Sequence, residues 1–134
     1  MSQRFLLDTN IISALMRDPQ GPAMSKIEKL DDAEIFTSVI VAAELHYGIV
    51  RKGSARLKES AEAILASLEI RPFTSEAAIA YGDLRAKLEQ MGRIIGANDL
   101  LIAAHAIAED AVLVTDNLGE FTRVAGLKTR NWLR

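Results

Sequence analysis

Two short apolar runs, Phe5-Leu6-Leu7 near one end of the chain and Ala111-Val112-Leu113-Val114 near the other, each lead into an acid with an amide one or two positions on. The first run meets Asp8 and then Asn10; the second passes Thr115 and meets Asp116 and Asn117. Runs without polar alternation are the mark of strands covered on both faces, as in a parallel sheet. Parallel strands need a crossover between them, usually a helix. The chain therefore reads as α/β, with Asp8 and Asp116 at the carboxyl ends of their strands, the edge where open α/β sheets bind ligands.

The segments between the runs supply the helices. Thr9 or Asn10 is expected to cap a first helix carrying Ile11, Ile12 and Leu15, with a plain capping role for Asp8 as the alternative reading of that acid, and Asp18 to Pro22 breaks the helix. A short helix over 23–30 and a short strand over 34–37 follow. Ser38 caps a helix from about Val39 to Val50 that stops near Gly53. On that helix the spacing of Ile40, Ala43, Tyr47 and Val50 predicts the core face, which would hold Glu44 close to apolar surface. A buried carboxylate without a partner is costly, so a cation is expected near Glu44.

Residues 54–68 form another amphipathic stretch, and Ile70 to Phe73 a short strand halted by Pro72. Thr74 or Ser75 caps a long helix to about Met91, with Ser75, Ala77, Ala78, Tyr81, Leu84 and Leu88 expected inside. From Leu100 to Glu109 the sequence is apolar nearly all round, predicting a central helix with Asp99 in its first turn and Asn98 as its cap. Leu118 to Phe121 is a helical turn carrying Glu120, and 127–132 a final edge strand or tail.

A length of 134 residues with 49% hydrophobic content suits one domain over 1–134. The formal charge of −2 spreads no basic field over the molecule, so nucleic acid would be held locally or through metal. No cysteine is present, which removes disulfide and thiolate–metal chemistry and fits a reducing compartment. Without a leader or a membrane-length apolar run, a soluble, cytoplasmic protein with no membrane partner is expected. His46 and His105 have no partner at a metal-ligand spacing, and Arg85, Lys87 and Arg93 read more simply as a solvated face than as an RNA path.

Asp8, Glu44, Asp99 and Asp116 can thus converge at one sheet edge. Two like charges about 4 Å apart repel by about 4 kcal/mol at an effective dielectric of 20, so four together call for a divalent metal. Hard oxygen donors select Mg²⁺, with Mn²⁺ as substitute, and Mg²⁺ pairs naturally with substrate phosphate. The chemistry expected is metal-assisted hydrolysis of a phosphodiester.

The motifs Leu7-Asp8-Thr9-Asn10, Ala42-Ala43-Glu44-Leu45 with Tyr47-Gly48, the run Ala97 to Ala106, and Val114-Thr115-Asp116-Asn117 with Glu120-Phe121 come in an order and spacing that resembles the PIN-domain nucleases, within them the VapC-type toxins. The resemblance continues through Val124 to Leu127 and Asn131-Trp132, covering essentially the whole chain. It implies a three-layer α/β/α domain with a central, mostly parallel sheet, and a Mg²⁺-dependent endoribonuclease cutting structured RNA such as tRNA. Its site would use Asp8, Glu44, Asp99 and Asp116, with Glu120 the alternative fourth acid, since many relatives carry Asn where Asp116 stands. It further implies a homodimer and a VapB-type antitoxin whose tail enters the acidic groove.

A binding module that keeps the acids only for partner recognition is the alternative in another class. A phosphatase using Asp8 as nucleophile is disfavoured, because Asn10 stands where a second acid would be wanted.

Overall fold

The computed structural model describes residues 3–134. The strands are β1 (Arg4–Leu7), β2 (Glu34–Ser38), β3 (Glu69–Arg71), β4 (Val112–Val114) and β5 (Thr129–Arg130). The helices are α1 (Thr9–Arg17), α2 (Pro22–Lys29), α3 (Val39–Lys52), α4 (Ala55–Ala66), α5 (Ser75–Gln90), α6 (Ala97–Ala108) and α7 (Leu118–Phe121). The strands lie in the order β3-β2-β1-β4-β5, and every pairing between them is parallel.

From β1 the chain steps through β2 to β3 on one side, then crosses to β4 and β5 on the other. By the rule that crossovers between parallel strands are right-handed, this strand order assigns α1 to α4 to one face of the sheet and α5 to α7 to the opposite face, giving three layers. The packing agrees, with α1 against α3 and α4, and α5 against α6. The direction of winding reverses between β1 and β4, which makes the crevice at their carboxyl ends the natural ligand site.

Both apolar runs are buried on two faces, as their lack of alternation predicts. Leu6, Leu7, Leu113 and Val114 have no exposed surface, and Ile11, Ile12 and Leu15 of α1 close over one side. On α6, six residues from Leu100 to Ala106 are buried, which matches its all-round apolarity. Trp132, near the end of the chain, packs against Phe5 with ring centroids 5.1 Å apart. The side chains of Ser38, Ser54 and Thr74 cap α3, α4 and α5. Gly53 ends α3 at φ 63°, a left-handed conformation that suits glycine.

Four local expectations are corrected. Asp8, not Thr9 or Asn10, caps α1, accepting from the Thr9 amide. Helix α6 begins at Ala97 after Gly96, so Asn98 lies within its first turn and does not cap it. On α3 the buried residues are Val41 and Leu45, whereas Tyr47 and Val50 are each 65% exposed and Ala43 is also exposed. That helix is apolar on two faces, so periodicity alone does not choose between them. The choice follows from β2 running into α3 with no intervening residue, and from the Ser38 cap being tied to buried His105. On α5, Ala77 and Leu88 are buried and Tyr81 and Leu84 half-buried, but Ser75 and Ala78 face solvent.

Candidate active site

Asp8 is the residue that follows β1, and the β1–β4 register places it opposite Thr115. Its amide donates to the Val114 carbonyl at 2.9 Å, extending the ladder by one bond and fixing the backbone. The carboxylate is nearly buried, 4% exposed, and every donor around it is neutral. Thr9 N donates to Oδ1 at 2.8 Å, Thr115 Oγ1 to Oδ2 at 2.8 Å, and Asn10 Nδ2 to Oδ2 at 3.4 Å. Burial raises the Asp8 carboxyl above its ordinary range, the Thr115 and Thr9 bonds oppose this, and Glu44 adds to it.

Glu44 reaches the crevice from α3. It is held by neutral donors, with Thr9 Oγ1 at 2.8 Å from Oε1 and Asn98 Nδ2 at 3.3 Å from Oε2. No cation among the described residues forms an ion pair with it, so the expected counter-charge is replaced by a hydroxyl and an amide.

Asp99, in the first turn of α6, faces the same crevice beside Glu120 of α7. Asn117 Nδ2 bridges them, 3.3 Å from Asp99 Oδ2 and 3.2 Å from Glu120 Oε2, and the Gly96 amide donates to Glu120 Oε1. The Asp99 carboxyl is pushed up to about 7, first by burial and then by the charges of Glu120, Asp8 and Glu44. Glu120 is held below its ordinary value, chiefly by the Gly96 amide. Asp8, Glu44, Asp99 and Asn117, with Thr9, Asn10, Ser13 and Arg17, line an open pocket of about 400 Å³ at the switch point.

Asp116 is the exception among the four acids singled out from sequence. It does not line that pocket: its Oδ1 accepts from Asn131 Nδ2 at 2.7 Å and from Arg134 Nε at 3.1 Å, which lowers its carboxyl. The reason is register. Thr115 is the residue opposite Asp8, and Asp116, one position further on, turns the other way because side chains alternate along an extended chain. Only its backbone serves the site, through its amide and Asn10 Oδ1 at 2.9 Å.

His46 is exposed and His105 fully buried, so neither reaches the pocket. Arg85 is engaged by Tyr81 and Glu89. The roles of Asn98 toward Glu44 and of Arg17 in the pocket wall have no motif behind them. For Arg17 the available signal was its spacing of four and eight from Ser13 and Thr9 on one helical face.

The donor set suits a hard divalent cation: carboxylate oxygens only, mutually repelling, with the Asp99 carboxyl raised to about 7 by burial and by its acidic neighbours. As they stand, no three of the described acidic or histidine side chains are grouped tightly enough to enclose an ion.

The PIN domain family matches residues 5–127. The chain belongs to the PIN-domain family, in its VapC branch. It is 44% identical over 131 residues to "Ribonuclease VapC2" of Rickettsia felis, covering 96% of this chain and 97% of that protein. It is 31% identical over 130 residues to the "tRNA(fMet)-specific endonuclease VapC" of Salmonella typhimurium, covering 96% and 98%. The crystal structure of VapBC2 from Rickettsia felis bound to a promoter DNA fragment contains a chain that superposes with a TM-score of 0.90 at 40% identity, covering 97% and 99%. The enzyme class is that of the PIN nucleases of VapC type, endoribonucleases.

Proposed function

We propose that this PIN domain is a divalent-metal-dependent endoribonuclease, the toxin of a type II toxin–antitoxin pair, which hydrolyses a phosphodiester of structured RNA, tRNA being the favoured class. The observation that carries the reading is the gathering of Asp8, Glu44, Asp99 and Glu120 at one sheet edge with no ion-paired cation among the described residues; burial and the neighbouring acids together raise Asp99 to about 7. The tRNA assignment is supported by the tRNA(fMet) specificity that the Salmonella relative is named for.

Asp8, Asp99 and Glu44 are the residues that would hold Mg²⁺ or Mn²⁺, with Glu120 as the fourth acid in place of Asp116. When bound, the cation supplies Lewis acidity toward water and phosphate and offsets the repulsion among the acids. The chain's own part is positioning. Thr115 and Thr9 orient Asp8, Thr9 and Asn98 orient Glu44, and Asn117 spaces Asp99 from Glu120. Water adds to phosphorus, the 3′-oxygen leaves with a proton, and the products are a 3′-hydroxyl and a 5′-phosphate. A VapB-type antitoxin is the partner, supported by the VapBC complex of Rickettsia felis, and the protein acts in the cytoplasm as a homodimer.

The test is cleavage of end-labelled cellular RNA pools by the purified protein and by Asp99→Asn, with Mg²⁺ or with chelator. Discrete cuts only for the wild type with metal are expected. A folded wild-type protein inert toward every RNA class would overturn the reading in favour of a binding module.

A further inference from the structure

The acidic pocket opens into a longer groove of about 600 Å³ between α1, α3 and α4, and the two share Thr9, Ser13, Arg17 and Glu44. The groove's walls repeat one pattern. On α1, Thr9, Ser13 and Arg17 follow at spacings of four, which places them on one helical face; on α3, Glu44, Gly48 and Lys52 do the same. Each stripe starts at the acid site, passes a small residue, and ends on a cation two turns away, about 12 Å along the helix axis. Arg56, at the start of α4, lines the same groove.

Among the described residues, Arg17, Lys52 and Arg56 have no anionic partner. None makes an ion pair or a side-chain hydrogen bond, whereas Arg4, Arg71, Arg85 and Arg134 are all paired with carboxylates. Arg17 is also the one cation lining the acidic pocket among the described residues, yet it lies beyond ion-pair distance of each carboxylate there. Gly48 leaves the trough open: a Cβ built on it meets nothing within 4 Å. The simplest role for Arg17 alone is to complement the carboxyl end of the α1 dipole. Lys52, in the last turn of α3, does the same for that helix, but the dipole does not account for Arg56, which stands in the first turn of α4 where a cation is disfavoured, nor for all three cations lining one groove that opens from the acid site.

We infer that Arg17, Lys52 and Arg56 form a phosphate track, which receives the RNA backbone on one side of the bond to be cut. The inference rests on the ribonuclease reading and adds the substrate's path to it. A polyanion entering a pocket of carboxylates on a chain of net charge −2 has to be held by local cations. Arg17, at the junction, would meet the phosphates nearest the scissile one, where its planar fork can bind two oxygens at once. Lys52 and Arg56 would meet those further along. The floor between them, including Leu45, Ile49 and Leu57, is apolar and has no aromatic ring, so it offers no stacking platform and the contacts would be blind to sequence.

The experiment measures binding of fluorescently labelled bulk tRNA to the full chain carrying Asp99→Asn, across a series of monovalent salt concentrations. Arg17→Gln, Lys52→Gln and Arg56→Gln are each added in turn, and then all three together. Each lost phosphate contact should flatten the slope of log K against log salt by about 0.7 to 0.9, and the triple variant by about 2 to 3. Arg17→Lys should keep the slope while weakening affinity. A change of fold does not imitate this pattern, and thermal melts of the variants provide the control. Unchanged slopes in folded variants that still bind tRNA would remove the track and leave the ribonuclease reading standing. Unchanged slopes together with lost capture of an acidic, amphipathic peptide would assign the groove to a protein segment and overturn the inference. Absence of tRNA binding by the Asp99→Asn parent, with no cleavage by the wild type, would remove both readings.

Discussion

Thr115 Oγ1 donates a 2.8 Å hydrogen bond to Asp8 Oδ2, joining the ends of β1 and β4 at the point where the sheet reverses its winding. The same hydroxyl oxygen accepts from Asn117 N at 3.0 Å and from Asn10 Nδ2 at 3.3 Å, so one buried threonine organises three neighbours of the crevice. Thr115→Val keeps the shape of the side chain and removes this hub. Cleavage should fall by about 10- to 100-fold, the usual cost of losing a group that orients a ligating carboxylate. Metal titration of the variant should show weakened affinity. Unaltered metal affinity and rate would show that Asp8 does not depend on this bond.

Asp116 and Glu120 can be told apart by paired substitutions. Asp116→Asn should stay within about twofold of wild-type activity, because this half-buried carboxylate faces Asn131 and Arg134 and does not line the acidic pocket. Glu120→Gln weakens an acceptor of the Gly96 amide and removes a charge beside Asp99, so activity should drop by at least about tenfold. The reverse ranking in a cleavage assay would restore Asp116 as the fourth acid.

The raised Asp99 carboxyl makes stability depend on pH in a defined direction. With a folded value of about 7 against an ordinary 3.8, the native state holds a proton that the unfolded chain has released across that window. The metal-free protein should therefore lose stability as pH rises from about 4 to 7 and gain none of it back above. Urea unfolding across this range should show the loss for wild type and a flatter profile for Asp99→Asn. Added Mg²⁺ should restore stability most at the upper end, where the carboxyl is ionised.

Ser38 gives a test of how the fold holds Glu44 in place. Its Oγ accepts the Ile40 amide of α3 at 3.0 Å and lies 2.7 Å from Nδ1 of buried His105 on α6, the helix that carries Asp99. His105 Nε2 is 3.7 Å from Glu109 Oε2, beyond hydrogen-bonding range, so Ser38 is the ring's close polar contact. Ser38→Ala removes a cap, worth about 1 kcal/mol, and leaves a buried imidazole nitrogen without its partner, a further 1 to 3 kcal/mol or so. Ser54→Ala, at the exposed cap of α4, should cost only the first of these. Denaturant midpoints of the two variants provide the comparison, and equal losses would count against the buried link.

Tyr47 and Val50 stand exposed on α3 where a core face was expected, and their apolar surface is available to a second copy of the chain. If the proposed homodimer forms through this face, Tyr47→Asp should shift sedimentation toward the monomer without lowering the thermal midpoint. An unchanged dimer would place the interface elsewhere.

The sequence by itself determined the α/β class and several of its helix ends, because those follow from local rules. Two-sided apolarity at Phe5 to Leu7 and Val112 to Val114 specifies covered parallel strands, and Ser38, Thr74 and Gly53 bound helices through their own side chains or backbone. It also put Asp8 at a strand's carboxyl end and Asp99 in the first turn of a buried helix. Only the tertiary structure decided the rest. Strand register, an agreement between residues more than 100 positions apart, set Thr115 opposite Asp8 and turned Asp116 outward. The packing of α7 beside α6 brought Glu120 to Asp99, and the rotation of α3 chose between two apolar faces of equal periodicity. Asn98, a plausible cap in sequence, became a donor to Glu44 54 positions away. Each of these depends on long-range contacts, and local pattern carries no record of them.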